Sequence, residues 1–264
     1  MTLNVKVTVD KHYPKVSHEE VERIVLRAGC RINGINPDIV VVVGGDGLFG
    51  KVGRYEDTPL LFVGTRSDKA NGTMAVMSEI LYDELEEALK RIAMGQYWVV
   101  EKPRLAVWVD ERFVGTVFTD VYLQRGAEPT SLRYTVRTSE AGAPIVEHAI
   151  GDGVVVTTRA GASGYYSYLD KIGAGNLFEP GRAALVSNDE IGICHIVPTA
   201  LTREGSERRE LRFSVGIESE VELSLDREAS AFLYGLDSPV AVHVGTSVKI
   251  FKSKSVTRLV KRGR

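Results

Sequence analysis

At 264 residues the chain is long enough for one large domain or two modest ones, and its 44% hydrophobic content is ample for a buried core. A formal net charge of -2 and a pI near 6.3 give no general electrostatic reason to expect nucleic acid or a membrane surface as partner; the basic run Lys249 to Arg264 reads as a solvated terminal segment. Cys30 and Cys194 lie far apart with no metal spacing, and no signal peptide or apolar run of transmembrane length is visible, so a reducing cytoplasm is the expected setting.

From the start to about Gly95 the chain alternates strand-like and helix-like pieces. Val5 to Val9 reads as a strand. Ser17 to Ala28 reads as a helix, because Ser17 and Glu20 make a capping box, Val21, Ile24, Val25 and Ala28 share one face, and Gly29 is placed to end it. Ile39 to Val43 is β-branched throughout, which suits a strand buried on both faces. It runs into Gly44-Gly45-Asp46-Gly47, and the carboxyl end of a parallel strand is where α/β proteins bind ligands. Leu60 to Val63 is another short strand, and Glu79 to Met94 a second amphipathic helix with Leu81, Leu85, Ala88, Leu89 and Ile92 on its stripe. The expected architecture here is α/β with a small parallel sheet.

Beyond Gly95 the pattern turns to period two. Leu105 to Val109, the turn Asp110-Glu111, Phe113 to Leu123, Arg133 to Arg137, Ile145 to Ile150, Val154 to Thr158, Ile191 to Val197, Leu211 to Val215, Val221 to Leu225 and Val240 to Val244 all read as β. No low-complexity linker separates the halves, so an α/β domain over residues 1–98 is expected to join a β-rich domain over 99–250 directly, and a cleft between them is the expected ligand site.

Three chemistries fit the glycine motif. Gly45-Asp46-Gly47-Leu48-Phe49-Gly50 satisfies the dinucleotide fingerprint, with Asp68 at about the right distance to meet a ribose. An acid at its second position would face a pyrophosphate, and the strand before it is not the first, which argues against hydride transfer. A phosphoryl-transfer site would instead use the glycine backbone for phosphate oxygens and the acid for an attacking hydroxyl or Mg²⁺. A plain tight turn with a solvated aspartate is the third possibility. A second constellation follows: Asp152-Gly153, the strand Val154 to Thr158, and the small-residue loop Ala160-Gly161-Ala162-Ser163-Gly164-Tyr165, where Tyr165 offers a stacking face. Ser163 lacks the spacing of a nucleophile elbow. The histidines His12, His18, His148, His195 and His243 are scattered and read as surface or packing residues.

Taken together these motifs resemble, in order, those of the ATP- or polyphosphate-dependent NAD kinases. Gly44-Gly45-Asp46-Gly47 is similar to the family signature whose aspartate activates the 2′-hydroxyl of the adenosine ribose. Thr119-Asp120 falls where the family has Asn-Glu, Asp152-Gly153 looks like its aspartate-glycine strand, and Ala160 to Tyr165 like its Thr-Gly-Ser-Thr-Ala-Tyr loop. Pro198-Thr199-Ala200-Leu201 stands for Pro-His-Ser-Leu, and Val240 to Leu259 resembles last strands leading into a tail, here 251–264, that returns to the first domain. The resemblance implies a two-domain NAD kinase-like fold that phosphorylates NAD to NADP in a cytoplasmic homodimer or homotetramer, with ATP or polyphosphate as donor and Mg²⁺ to neutralise it. It assigns Asp46 as catalytic residue, Gly44, Gly45, Gly47 and Thr65 to phosphate or nucleotide, and Thr119, Asp120, Asp152, Ser163 and Tyr165 to NAD, with no dedicated protein metal ligand. Arg54, Arg66 and Lys69 are candidate extra cations.

The chain departs from the pattern in places. Leu48 replaces a threonine, Gly64-Thr65 stands for Asn-Thr, Arg66 to Met74 does not follow Leu-Gly-Phe, and Ala160 and Ala162 replace hydroxyl residues. A non-catalytic NAD or NADP sensor and a related lipid or sugar kinase are the alternatives these losses leave open.

Overall fold

A computed structural model describes residues 2–11, 16–65, 75–172, 186–207 and 210–263. The chain divides into two compact units, Met1–Lys102 with Ser255–Arg264, and Pro103–Lys254.

The first unit is a parallel sheet in the order Arg31–Ile32, Asn4–Val9, Ile39–Gly44, Leu60–Gly64. Ile80–Leu81 pairs with the carboxyl end of Leu60–Gly64, and Leu259 pairs with its start. Every residue of Ile39–Gly44 and Leu60–Gly64 is buried, as two-faced coverage requires. One face, with Val5, Val41, Val43, Leu61 and Val63, is closed by α1 (His18–Arg27) and by the later helix Leu85–Ala93. The other face receives α2 (Asp46–Gly53), whose Phe49 stacks on Phe62 at 4.4 Å and 3°. The Ser17–Glu20 capping box is present at the start of α1.

Two local expectations are corrected. The helix expected from Glu79 to Met94 begins as an α-helix only at Leu85, after the strand Ile80–Leu81 and a 3₁₀ turn Tyr82–Glu84, because Ile80 and Leu81 extend the sheet and the Glu84 carboxylate takes the Leu81 N–H at 2.9 Å. The basic end of the chain is no solvated segment but the strand Val248–Arg262, with Thr257 and Val260 buried. Its charges sit on the outward positions and pair with acids, among them Lys252 with Glu218 and Arg258 with Glu101.

The second unit is a β-sandwich. One sheet runs Ala200–Arg203, Ala143–Gly151, Leu132–Glu140, Val221–Leu225 and the first part of Val248–Arg262, all antiparallel. The other runs Arg212–Gly216, Glu190–Ile196, Gly153–Thr157, Asp120–Arg125, Ala231–Tyr234, Val240–Val242. Tyr134, Val136, Leu223 and Ile250 from the first sheet meet Val121, Leu123, Val154, Val156, Ile193 and Leu233 from the second in one core. The run expected from Phe113 to Leu123 is broken into Arg112–Val117 and Asp120–Arg125, and the hairpin before it turns on Asp110 (φ 47°) and Glu111 (φ 63°). That pair of positive φ values is the primed turn whose twist suits flanking strands.

Candidate functional site

In the first unit the order Arg31–Ile32, Asn4–Val9, Ile39–Gly44 reverses at Asn4–Val9, so a topological switch point lies between the carboxyl ends of Asn4–Val9 and Ile39–Gly44. Asp10 ends one of these strands and Gly44-Gly45-Asp46 the other. The Asp10 N–H donates to the Val43 carbonyl at 3.1 Å, and a Cβ on Gly44 would lie 3.3 Å from that of Asp10. Gly44 is also the register partner of Gly64, and Thr65 follows Gly64 half-buried.

The glycines do not form a loose turn. Gly45 is the N-cap of α2 and Asp46 its first residue, while the Leu48 and Phe49 N–H groups already donate to the Gly45 carbonyl at 3.0 and 3.1 Å. The N–H groups of Asp46 and Gly47 belong to the first turn, where no intrahelical acceptor exists, and the helix dipole favours an anion there. The Asp46 carboxylate is held on both oxygens: Val76 N–H donates to Oδ2 at 3.0 Å and Met77 N–H to Oδ1 at 2.9 Å. It is therefore a fixed acid, with two backbone donors setting its orientation. Leu48 puts a methyl group where a Cβ on Gly44 would meet it at 2.9 Å, so it packs under the strand end.

Arg54 is buried at the end of α2, with its guanidinium 4.9 Å from the Tyr55 ring and Nη2 donating to the Tyr55 hydroxyl. It is a packing cation. Arg66, Asp68, Lys69 and His12 lie outside the described residues.

In the second unit the structure gathers Thr119, Asp120, Ser163 and Tyr165. The Thr158 N–H donates to the Thr119 carbonyl at 2.9 Å and the Thr158 hydroxyl to the Phe118 carbonyl at 2.6 Å. These bonds lay the small-residue loop across the start of Asp120–Arg125. A Cβ on Gly161 would come within 2.6 Å of the Thr119 carbonyl, which explains why that loop is small: backbone meets backbone. Ala162 is buried beneath it, Ser163 is half-exposed with its carbonyl accepting from the Ser167 hydroxyl at 2.8 Å, and Tyr165 opens a 3₁₀ turn, 47% exposed. Asp120 faces outward beside them, and burial pushes its carboxyl up to about 6 against smaller opposing effects from the Thr119 hydroxyl and its own backbone N–H.

Asp152 is elsewhere. Thr157 is opposite Asp120 and Gly153 opposite Gln124, so Asp152 sits at the far end of the strand pair, about 16 Å away at a rise of ~3.3 Å per residue. There it pairs with Arg125 Nε at 2.8 Å. Beneath it lies a polar network absent from the sequence reading. The Tyr134 hydroxyl donates to the Gly153 carbonyl at 2.5 Å and meets His195 Nδ1 at 2.9 Å, His195 Nε2 meets Glu147 at 2.8 Å, and Arg203 Nε donates to Glu147 at 2.8 Å. His195 and Glu147 are fully buried, so His195 is a packing residue, not a surface one, and both its nitrogens are engaged. Burial keeps the Tyr134 hydroxyl well above the ordinary phenol range.

Sequence reasoning also missed three residues on the page here. Asp10 was invisible because the switch point depends on strand order. Tyr122 was legible: two residues after Asp120, period two puts it on the same face. Tyr234 is Tyr122's register partner on the neighbouring strand, which only pairing reveals. Among the described residues no group of three or more His, Cys, Asp or Glu side chains is placed to hold a metal ion, and no helix is long and apolar enough to cross a membrane.

No known family profile matches the chain. Among curated proteins it is similar to the NAD kinase of Picrophilus torridus, 23% identical over 150 residues, covering 57% of this chain and 52% of the relative. It is also similar to that of Thermococcus kodakarensis, 26% identical over 233 residues, covering 86% and 74%. The chain spans about half the length of the curated relatives it first matches, 52% and 55%. Among solved structures, yeast NADH kinase complexed with NADH superposes with a TM-score of 0.72 at 16% identity, over 100% of this chain and 84% of that one. An NAD kinase from Archaeoglobus fulgidus in complex with ATP gives 0.68 at 16%, over 98% and 94%. In sequence the chain resembles the NAD kinases, and it shares their fold. Gly44-Gly45-Asp46-Gly47, the stretch that resembles the NAD kinase signature, lies on the helix start just described, and the chain departs from that pattern at Leu48 and at Ala160 and Ala162.

Proposed function

We propose that the protein is an NAD kinase: it transfers the terminal phosphoryl group of ATP or polyphosphate to the 2′-hydroxyl of the adenosine ribose of NAD, giving NADP. The observation that carries the reading is Asp46, a carboxylate fixed by two backbone N–H groups at the start of a helix at the sheet's switch point. The likeness to NAD kinases suggests the reaction; the helix start supplies the physics.

Asp46 accepts the hydrogen bond of the attacking hydroxyl and takes its proton as the O–P bond forms, while the bond to the leaving phosphate breaks. The first-turn N–H groups of α2, with Gly44, Gly45, Gly47 and Thr65, receive phosphate oxygens, and the glycines let them approach the backbone. Mg²⁺ fits this arrangement without a protein cage, since it is commonly held by one or two carboxylates together with substrate phosphates, and Asp46 and Asp10 are the acids at this rim. When bound, it neutralises charge on the donor. Thr119, Asp120, Ser163 and Tyr165 of the second unit contact NAD. Asp152, at the opposite end of its sheet and paired with Arg125, makes its contact from a second copy in a homodimer or homotetramer. A cytoplasmic location accords with the free, buried cysteines Cys30 and Cys194.

The experiment is direct. The protein is incubated with NAD, Mg²⁺ and either ATP or polyphosphate, and NADP is assayed. NADP formation that Asp46→Asn abolishes, with NAD affinity largely kept, is the expected result. Unchanged turnover in that variant overturns the role of Asp46, and absence of NADP with either donor overturns the reading.

A further inference from the structure

The turn between Arg31–Ile32 and Ile39–Gly44 reads Asn33-Gly34-Ile35-Asn36-Pro37 and lies on the surface, with Asn33 half-buried and Gly34, Ile35 and Asn36 exposed. The backbone folds back on the Asn33 side chain, whose amide oxygen accepts the Ile35 N–H at 3.0 Å and the Asn36 N–H at 3.1 Å. Two donors facing one atom require that atom to be the carbonyl oxygen, so the NH₂ end is turned away from them. Among the described residues that NH₂ and the Gly34 N–H have no hydrogen-bond partner. A Cβ on Gly34 would meet nothing within 4 Å, so the backbone there is open on its side-chain face.

These are the parts of an acyl transfer within the chain itself. The electrophile is the Asn33 amide carbon Cγ, and its oxygen sits between two backbone N–H groups, the arrangement that stabilises the charge of a tetrahedral intermediate. The nucleophile is the next residue's nitrogen: Gly34 N closes a cyclic imide with Cγ, and glycine puts no side chain beside it. The leaving group is the unengaged NH₂. Asn36 cannot react in this way, because Pro37 carries no N–H to give up.

We propose that Asn33-Gly34 is a self-modification site, at which the folded chain deamidates itself through a cyclic imide. Gly34 N gives its proton to hydroxide as it bonds to Cγ; the Cγ–Nδ2 bond breaks, and ammonia leaves with a proton taken from water, which restores the hydroxide. A second water opens the imide at either carbonyl and leaves aspartate or isoaspartate at position 33. No oxidant or cofactor takes part. The place gives the change its consequence. The Asn33 N–H donates to the Val5 carbonyl at 2.9 Å, next to the pairing of Arg31–Ile32 with Asn4–Val9, and isoaspartate inserts a methylene into the main chain there. Asp38, which takes the Asn4 N–H at 2.7 Å, is an acid close by in sequence, and the new carboxylate adds like charge to the same sheet edge. Modification therefore loosens the edge of the sheet that carries Asp46.

Peptide mapping of the intact protein, aged in mildly alkaline buffer and digested under mildly acidic conditions, reads the reaction. Trypsin releases Ile32 to Lys51 as one peptide whose other asparagine is the inert Asn36, so an amide-to-acid mass gain with an isoaspartyl product reports Asn33. Asn71-Gly72 carries the same dipeptide on a different peptide and is read separately. The folded protein is expected to convert Asn33 about ten-fold faster than the same chain in urea, because unfolding removes both donors from the amide oxygen. Gly34→Ala, whose added Cβ meets nothing in the fold, is expected to slow conversion by about ten-fold while the protein stays folded. In the aged protein the amides of Arg31 and Asn33, which donate to Leu3 and Val5, are expected to exchange hydrogen several-fold faster. No acid product at Asn33, a folded rate at or below that in urea, or an unchanged rate in Gly34→Ala overturns the proposal, and unchanged exchange in the aged protein overturns its consequence for the sheet. NADP formation enters none of these readings, so this site and the assignment of Asp46 stand or fall separately.

Discussion

Asp120 shows how one side chain couples stability to the site. Its carboxyl titrates near 3.8 when unfolded and at about 6 in the fold, so the native state holds the proton more tightly. The sign follows: native stability falls as pH rises from about 4 to about 6, and the loss is complete above that window. Asp120→Asn should therefore stabilise the protein near pH 8 by on the order of 2 kcal/mol and have little effect near pH 4. Urea melts of both proteins at the two pH values check this. Asp46 has its position fixed by two backbone donors. If Asp46 is the general base proposed above, Asp46→Asn should lower turnover by on the order of 10²- to 10⁴-fold, as read by NADP formation. Asp46 was visible in the sequence within its glycine motif, Asp120 only through the place Thr119-Asp120 takes in the family resemblance. What the sequence did not carry was their surroundings: the Val76 and Met77 N–H groups on Asp46 lie 30 and 31 positions away, and Tyr234 reaches Tyr122 only through strand pairing.

At the scale of elements, legibility followed the period of the hydrophobic pattern. Ile39–Gly44, Leu60–Gly64 and α1 stand within a residue of where valine runs and a capping box put them, since local propensity and burial agree there. α2 was missed because Gly47, Gly50 and Gly53 lower its intrinsic helicity; it is held by the Phe49–Phe62 stack and by the Thr257 hydroxyl donating to the Gly53 carbonyl at 2.6 Å. Phe49→Ala should cost about 3–5 kcal/mol and loosen the helix that carries Asp46, so thermal stability and NADP formation should fall together. The Tyr134–His195–Glu147–Arg203 network plays the corresponding role under Asp152-Gly153. Glu147→Ala leaves His195 and Arg203 without their shared acceptor and should destabilise the second unit by about 3–5 kcal/mol, read as a drop in its urea midpoint. His195 gave no hint of this in the sequence, because its partners Tyr134 and Glu147 come from two other strands.

For the molecule as a whole, the α/β texture followed by period-two texture foretold a small parallel sheet and a β-rich half; that the latter is an antiparallel sandwich depends on strand pairing, which the sequence did not carry. The terminal strand is where composition misled, since Lys249, Lys252, Lys254 and Arg258 suggest solvent while the alternate positions Leu259 and Thr257 lie buried. Deleting Ser255–Arg264 removes buried Thr257, Leu259 and Val260 from the first unit. The truncated protein should show selective cleavage within Met1–Lys102 under limited proteolysis while Pro103–Lys254 stays resistant.

That same strand sets an order of events during synthesis. The first unit takes its last strand from residues that leave the ribosome only after all of Pro103–Lys254 has emerged, so the segment bearing Asp46 waits, unfinished, while the sandwich is made. Prior folding of the sandwich spares the first unit the entropy of closing a long floppy loop, because the two ends of the insertion are then tied together by structure and not by chance encounter. The unit that carries Asp46 is born early and matures late.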